Sequence, residues 1–396
     1  MRVLIVQSTV ATGSAYYRVD EPARAVREAG LGVDVVVQQG LATTMRPGTV
    51  DGPPEVSEVD AQGADVVVLQ LPKTAAMLQC ARLLQSQGVA VVVEMDDLLS
   101  AVPFGSASYT SMVNGGMAQH GLACTREADF VTVSTPVLLA EYAAHGRGAV
   151  VPNAVPRRIA ELPPAYERNP ETMTIGWAGT VAGHPYDLQE MGSGLQQALD
   201  RTRTASRFVI LGQKCDVRTR LGLAAEPDEV PWLPGVDAYL QRMGELFDVG
   251  IAPLRDDRFN AAKSWLKPLE YSARGVYCVR SRTGEYERLG LGVPARAAKD
   301  WAKWITAGVQ DADRRREMAE AARERVLSQH LTEHTVEAWV GAWRTALDNR
   351  ARARATARRS SARPLADDAP IDVKRGRRGV RSRRVVPCGP RGRRSA

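Results

Sequence analysis

Lys263, Lys267, Glu270 and Arg274 follow one another at intervals of four, three and four positions, so a helix through them would align all four on one face. Pro268 cannot donate a backbone hydrogen bond and is best tolerated in a first turn, which predicts a helix beginning near Leu266 or Lys267. Lys263 and Ser264 then belong to the loop that faces the helix N-terminus, where free N–H groups and the helix dipole favour an anion. A basic loop that leads into a short helix carrying a glutamate, Glu270, and then into a buried strand suits a nucleotide diphosphate. A solvated charged face is the plainer reading of the same spacing.

Such a site needs a scaffold, and the chain is built to supply one. Apolar runs bounded by turn residues fall at 2–7, 33–38, 65–70, 89–95, 129–133 and 148–151, with helical patterns at 20–30, 73–87 and 135–145 between them. Continuous apolar strands alternating with helices indicate a parallel sheet covered on both faces. The pattern repeats with strands near 173–177, 207–212, 246–251 and 276–279, a short helix at 236–245 after the loop Pro231–Gly235, and helices at about 298–309, 311–328 and 331–348. The stretch 40–62, rich in Pro, Gly and Thr, reads as a surface loop. At 396 residues and 44% apolar content, two domains with separate cores are expected.

The run from Lys263 and Ser264 through Lys267, Leu269-Glu270-Tyr271, Ala273, Gly275-Val276 and Val279 resembles the donor segment of retaining glycosyltransferases of family four, in its lysine-serine loop variant. Further similarities fall in the order that family requires: Val3–Val6 with Gly13–Arg18, Glu94–Leu99, Ala128–Thr135, Val151-Pro152-Asn153, and Thr174–Thr180 with His184 and Asp187. The resemblance spans roughly residues 1 to 345. It implies an α/β GT-B fold, two Rossmann-like doubly wound parallel-sheet domains facing a cleft. The expected division is an acceptor-side domain over 1–153, a linker over 154–170, a nucleotide-sugar domain over 171–330, and a terminal helix over 331–350 that crosses back, for which Trp339 and Trp343 are candidate anchors, with a two-helix packing seam as the alternative for both. It also implies that Glu270 holds the nucleotide ribose. The second glutamate that the family usually places eight positions earlier, in contact with the donor sugar, is Ala262 here.

Retaining sugar transfer requires a cleft in which a diphosphate leaving group is neutralised while an acceptor hydroxyl approaches the anomeric carbon. Lys263, Ser264 and Lys267 are the expected diphosphate contacts, with the amides of Gly179 and Thr180 opposite, His184 close by and Lys214 a second phosphate contact. Gly13, Ser14, Tyr17 and Arg18 form a loop after the first strand that would reach phosphate or acceptor from the other domain, although they lack the G-x-G-x-x-G spacing of a dinucleotide fold. Asp96 and Asp97, at a strand's carboxyl end, and His120 are the candidates for catalysis on the acceptor side. Helix capping is the alternative for the aspartates, and an ordinary hydrogen-bonded histidine the alternative for His120 and His184. Neither the adjacent carboxylates nor the five dispersed histidines have metal-ligand spacing, so no metal is expected, and no cofactor beyond a nucleotide diphosphate sugar as donor substrate.

Charge divides the chain unevenly. Residues 351–396 carry a net +12 of the overall +7, leaving −5 on residues 1–350. This arginine-rich tail is expected to be disordered and could bind nucleic acid or an acidic partner. A nucleic-acid-associated protein, glycosylating modified bases, is therefore an alternative reading, and a nucleotide-sugar epimerase of the same fold is another. Five scattered cysteines argue against a disulfide framework. With no apolar span of membrane length and no leader-like start, a cytoplasmic protein is expected.

Overall fold

The computed structural model describes residues 1–8, 12–48 and 54–361. The first lobe is a parallel sheet of six strands in the order β2-β1-β5-β6-β7-β8, where β1 is Arg2–Gln7, β2 Asp34–Gln39, β5 Val66–Gln70, β6 Ala90–Met95, β7 Phe130–Val133 and β8 Gly148–Val150. The Val-rich strands β5 and β6 are buried along their whole length, as expected of a sheet covered by helices on both faces. The order reverses between β1 and β5. Loops leaving those two strands diverge and open a crevice at their carboxyl ends.

The second lobe repeats the design as β11-β10-β9-β12-β13-β14, with β9 at Met173–Thr180, β10 at Ser206–Gln213, β11 at Asp228–Val230, β12 at Val249–Ala252, β13 at Tyr277–Ser281 and β14 at Val293–Ala295. All its pairings are parallel, and its order reverses between β9 and β12. The edge strands β11 and β14, three residues each, are too short to carry a sequence signal.

Two readings of the sequence need correction. Within 40–62, expected as loop, Thr43–Arg46 (β3) and Glu55–Val59 (β4) pair as an antiparallel hairpin, while residues 49–53 lie outside those described. Val56 and Val59 are both buried in the first lobe's core cluster, but they are three positions apart across a register shift in the hairpin, so no period-two pattern marks the strand in the sequence. The last helix, Val336–Ser361, runs past residue 350, where a disordered tail was expected to begin. Residues 351–359 are nearly all Ala and Arg, both strong helix formers. Residues 362–396, the rest of the expected tail, lie outside the described residues.

That helix returns to the first lobe. Trp339, Trp343 and Ala346 are buried in one apolar cluster with Val3, Ile5, Val92 and Phe130 of the first sheet. Among the described residues no helix is long and apolar enough to cross a membrane.

Candidate active site

The carboxyl ends of β1 and β9 face each other across a cavity of about 560 Å³, lined from the first lobe by Thr12, Gly13 and Tyr17, and from the second by Ala178, Gly179, Thr180, Gly183, His184, Trp232, Tyr239, Leu266, Lys267 and Glu270, among others. Backbone alone shapes one wall. Gly179 of β9 lies in register with Gly212 of β10, and a Cβ on Gly212 would sit 2.1 Å from the Gly179 carbonyl oxygen.

Helix Leu266–Ala273 supplies the polar wall. Its start is fixed by Trp265, whose Nε1 donates to the Asn153 carbonyl oxygen at 2.8 Å. Its end is fixed by Gly275 at φ +66°, a conformation that a side chain would strain. Lys267 and Glu270 are one turn apart on the face toward the cavity. Lys267 Nζ lies 5.6 Å from the Trp177 ring centroid, and burial lowers the ammonium's pKa. Glu270 is buried and accepts a hydrogen bond of 2.7 Å from the Tyr17 hydroxyl of the first lobe, with the Tyr239 hydroxyl 3.5 Å from its other oxygen. Burial pushes the Glu270 carboxyl up to about 7, against the opposing pull of Tyr17 and Lys267.

Other residues singled out from the sequence are placed differently. Lys263 and Ser264 lie outside the cavity's walls and bridge the lobes. Lys263 Nζ contacts Asp97 Oδ1 at 2.6 Å, and Ser264 Oγ accepts from Asn153 Nδ2 at 2.8 Å. Asp96 is partly buried, with a hydrogen bond from the Ser14 hydroxyl; desolvation, and next the Asp97 charge, raise its carboxyl. Arg18 cannot reach a cleft phosphate. Its buried guanidinium is paired with Glu94 at 2.6 Å, bonded to the Val151 carbonyl and Asn153, and stacked 4.7 Å from the Trp339 ring centroid. A residue in the buried helical turn Tyr16–Asp20 serves packing because its side chain is directed inward, which its charge alone did not reveal. Lys214 is on the loop after β10 and His120 is within helix Met117–Glu127; neither lines the cavity. The carbonyl of Ala262 accepts from Thr135 Oγ1 at 3.1 Å, and its side chain is buried in the first lobe's core cluster.

Two features were missed in the sequence. Trp232 is 45% exposed, donates from Nε1 to Thr180 Oγ1 at 3.1 Å, and lies 5.1 Å from Tyr239 between ring centroids. The Pro-flanked Trp-Leu pair in Pro231–Gly235 was the available signal, since a tryptophan in a turn-rich loop has no core to enter. Asn260 was missed altogether, and its Nδ2 donates to Asp187 at 2.7 Å. Among the described residues no group of three His, Cys, Asp or Glu is arranged to hold a metal ion.

The two-lobed fold has counterparts among known proteins. Residues 194–341 match a family model described as glycosyl transferase-like. No curated protein matches the chain in sequence. The structure resembles that of HepE from Anabaena in complex with UDP and glucose, with a TM-score of 0.58 and 14% identity over 86% of this chain and 98% of that one. It also resembles a glycosyltransferase from Rickettsia africae, at a TM-score of 0.58 and 12% identity over 88% and 99% of the two chains. A third similar structure is an alpha,alpha-trehalose-phosphate synthase (UDP-forming) from Burkholderia vietnamiensis, at 0.55 and 14%, covering 90% and 99%. The chain has the GT-B fold, and a glycosyl transferase-like segment occupies most of its second lobe.

Proposed function

We propose that this protein transfers a sugar from a nucleotide diphosphate sugar, with UDP as the nucleotide, to an acceptor hydroxyl, with retention at the anomeric carbon. The observation that carries the reading is the placement of Lys267 and Glu270 on one face of a short helix whose first turn opens into the interlobe cavity. The nucleobase would lie along Trp232 and Tyr239, two aromatic residues that line the cavity. Glu270 would accept hydrogen bonds from the ribose hydroxyls. The diphosphate would meet the Lys267 ammonium and the N–H groups of the first helical turn, with the Gly179–Thr180 strand end close enough for backbone approach.

In the transfer itself the bond between the anomeric carbon and the β-phosphate oxygen breaks, and its electron pair leaves on UDP. The new bond forms from the acceptor oxygen on the same face of the ring, and the acceptor's proton passes to the departing phosphate. Charge developing on that phosphate is met by Lys267 and by oriented backbone dipoles, so no metal is required for neutralisation. The resemblance of the Lys263–Val279 run to retaining enzymes supports the stereochemistry. UDP in the HepE complex supports the choice of nucleotide. Asp97, partly exposed and paired with Lys263, is the group proposed for the acceptor side.

A thermal-shift titration with UDP, GDP, ADP and their glucose conjugates tests this on the wild type, Glu270→Ala and Lys267→Ala. Stabilisation by one nucleotide family, weakened in both variants, is the expected result. Equal stabilisation of all three proteins would place the nucleotide elsewhere and defeat the reading.

A further inference from the structure

His184 lines the same cavity but takes no part in the scheme above. It closes a tight turn after β9, its backbone N–H directed at the Thr180 and Val181 carbonyls. Its ring Nδ1 lies 2.8 Å from Asp187 Oδ2. The second oxygen of that carboxylate, Oδ1, is also engaged, by Asn260 Nδ2 at 2.7 Å and by the backbone N–H of Arg255 at 3.1 Å. Asp187 is 4% exposed, so three donors from separate segments hold a buried carboxylate in one orientation.

The charge state follows from these contacts. Burial favours the neutral carboxyl, but the hydrogen bond from His184 and the Arg255 amide outweigh it, and Asp187 remains below the usual range. Burial first, then repulsion from Lys267 and Lys263, lowers the His184 pKa. A neutral imidazole beside an anionic carboxylate keeps its proton on the nitrogen that faces the carboxylate. That nitrogen is Nδ1, which leaves a lone pair on Nε2. Such a nitrogen repels phosphate oxygens, which at neutral pH have little to donate, and it accepts from a hydroxyl.

We propose that Asp187, braced by Asn260, is a positioning residue that fixes His184 as a hydrogen-bond acceptor for a hydroxyl of the donor's sugar, making this turn a determinant of which sugar is taken. The inference rests on the reading of the cavity as a nucleotide-sugar site. The pairing of a metal-free carboxylate with a ring nitrogen is the same arrangement by which outer partners orient histidines elsewhere.

The test uses the full chain as wild type, Asp187→Asn and His184→Ala. Long-range nitrogen–proton NMR on histidine-labelled protein reads the tautomer, and calorimetry measures binding of UDP, UDP-glucose and UDP-galactose. The expected wild-type spectrum has the proton on Nδ1 of His184, and Asp187→Asn, whose amide can donate to that nitrogen, populates the opposite tautomer. Both variants are expected to bind UDP as the wild type does, while losing about ten-fold in affinity for the preferred UDP-hexose, the size of one hydrogen bond. A wild-type proton on Nε2, or a parallel loss for UDP and UDP-hexose, overturns the assignment. Wild-type protein that binds UDP but gains nothing from either hexose overturns this inference alone, whereas failure to bind UDP removes the nucleotide-sugar reading together with it.

Discussion

At the scale of single residues, Glu270 has the most consequential environment. It is a carboxyl without a fully charged partner in hydrogen-bond contact, held between the tyrosine hydroxyls of Tyr17 and Tyr239, with Lys267 one turn away. Burial raises it from 4.5 to about 7, so between those values the folded protein retains a proton that the unfolded chain releases. The associated stability is complete below pH 4.5 and is lost as pH rises through 7, a change on the order of 3 kcal/mol. We expect the wild-type melting temperature to decline across that window relative to Glu270→Gln, which lacks the titration. UDP affinity should move the other way in the wild type, rising through pH 7 as the carboxylate becomes a stronger acceptor for ribose hydroxyls, and should be flat in the glutamine variant. Calorimetric melts and titrations at pH 5, 6, 7 and 8 measure both. Equal pH slopes in the two proteins would assign the dependence to another group.

Elements convert these residues into a site through close approach of backbone and through anchoring of helix ends. Gly212 has φ +135° beside Gly179, and a methyl group there would overlap the Gly179 carbonyl oxygen. Gly212→Ala is therefore expected to cost more than about 1 kcal/mol and to shift the strand end that lines the cavity. Urea unfolding measures the first effect and UDP binding the second; an unchanged denaturation midpoint would show that the two strands can separate without penalty. The returning helix depends on Trp343, which is fully buried against the first sheet. Trp343→Ala should lower stability by about 3–5 kcal/mol, the range for emptying a buried tryptophan site. A loss under 1 kcal/mol would mean that the helix contributes little to the first lobe. Of these features, the paired tryptophans at spacing four were visible in the sequence. The glycine pair was not, because it depends on the register between β9 and β10.

Across the whole of residues 1–355 the lobes are joined by polar contacts around the cavity. Arg158 binds Glu21 at 2.6 Å and Asp237 at 2.9 Å, Lys263 binds Asp97, and Tyr17 reaches Glu270. Ala262 belongs to this junction, 1% exposed and packed with first-lobe residues although it precedes the second lobe's Lys263 loop. A glutamate at this position would place a carboxylate in an apolar cluster with no cation bonded to it. Ala262→Glu is expected to lower the melting temperature and to increase the radius of gyration in small-angle scattering as the lobes part; an unchanged radius would show that the junction tolerates the charge. Local patterning sufficed for what depends on neighbours along the chain: ten of the strands, the break between two doubly wound sheets, the helix that starts near Leu266, and the spacing that puts Lys267 and Glu270 on one face. Periodicity of side-chain direction and the missing N–H of Pro268 determine these before the chain is folded. Only tertiary structure decided which polar groups meet. It assigned Arg18 to Glu94 and Lys263 to Asp97, brought Trp232 to the cavity rim, and turned Asn260 onto Asp187 behind His184. Partners separated by tens to hundreds of residues are chosen by packing within each lobe and, for Lys263 and Asp97, by contact between the lobes.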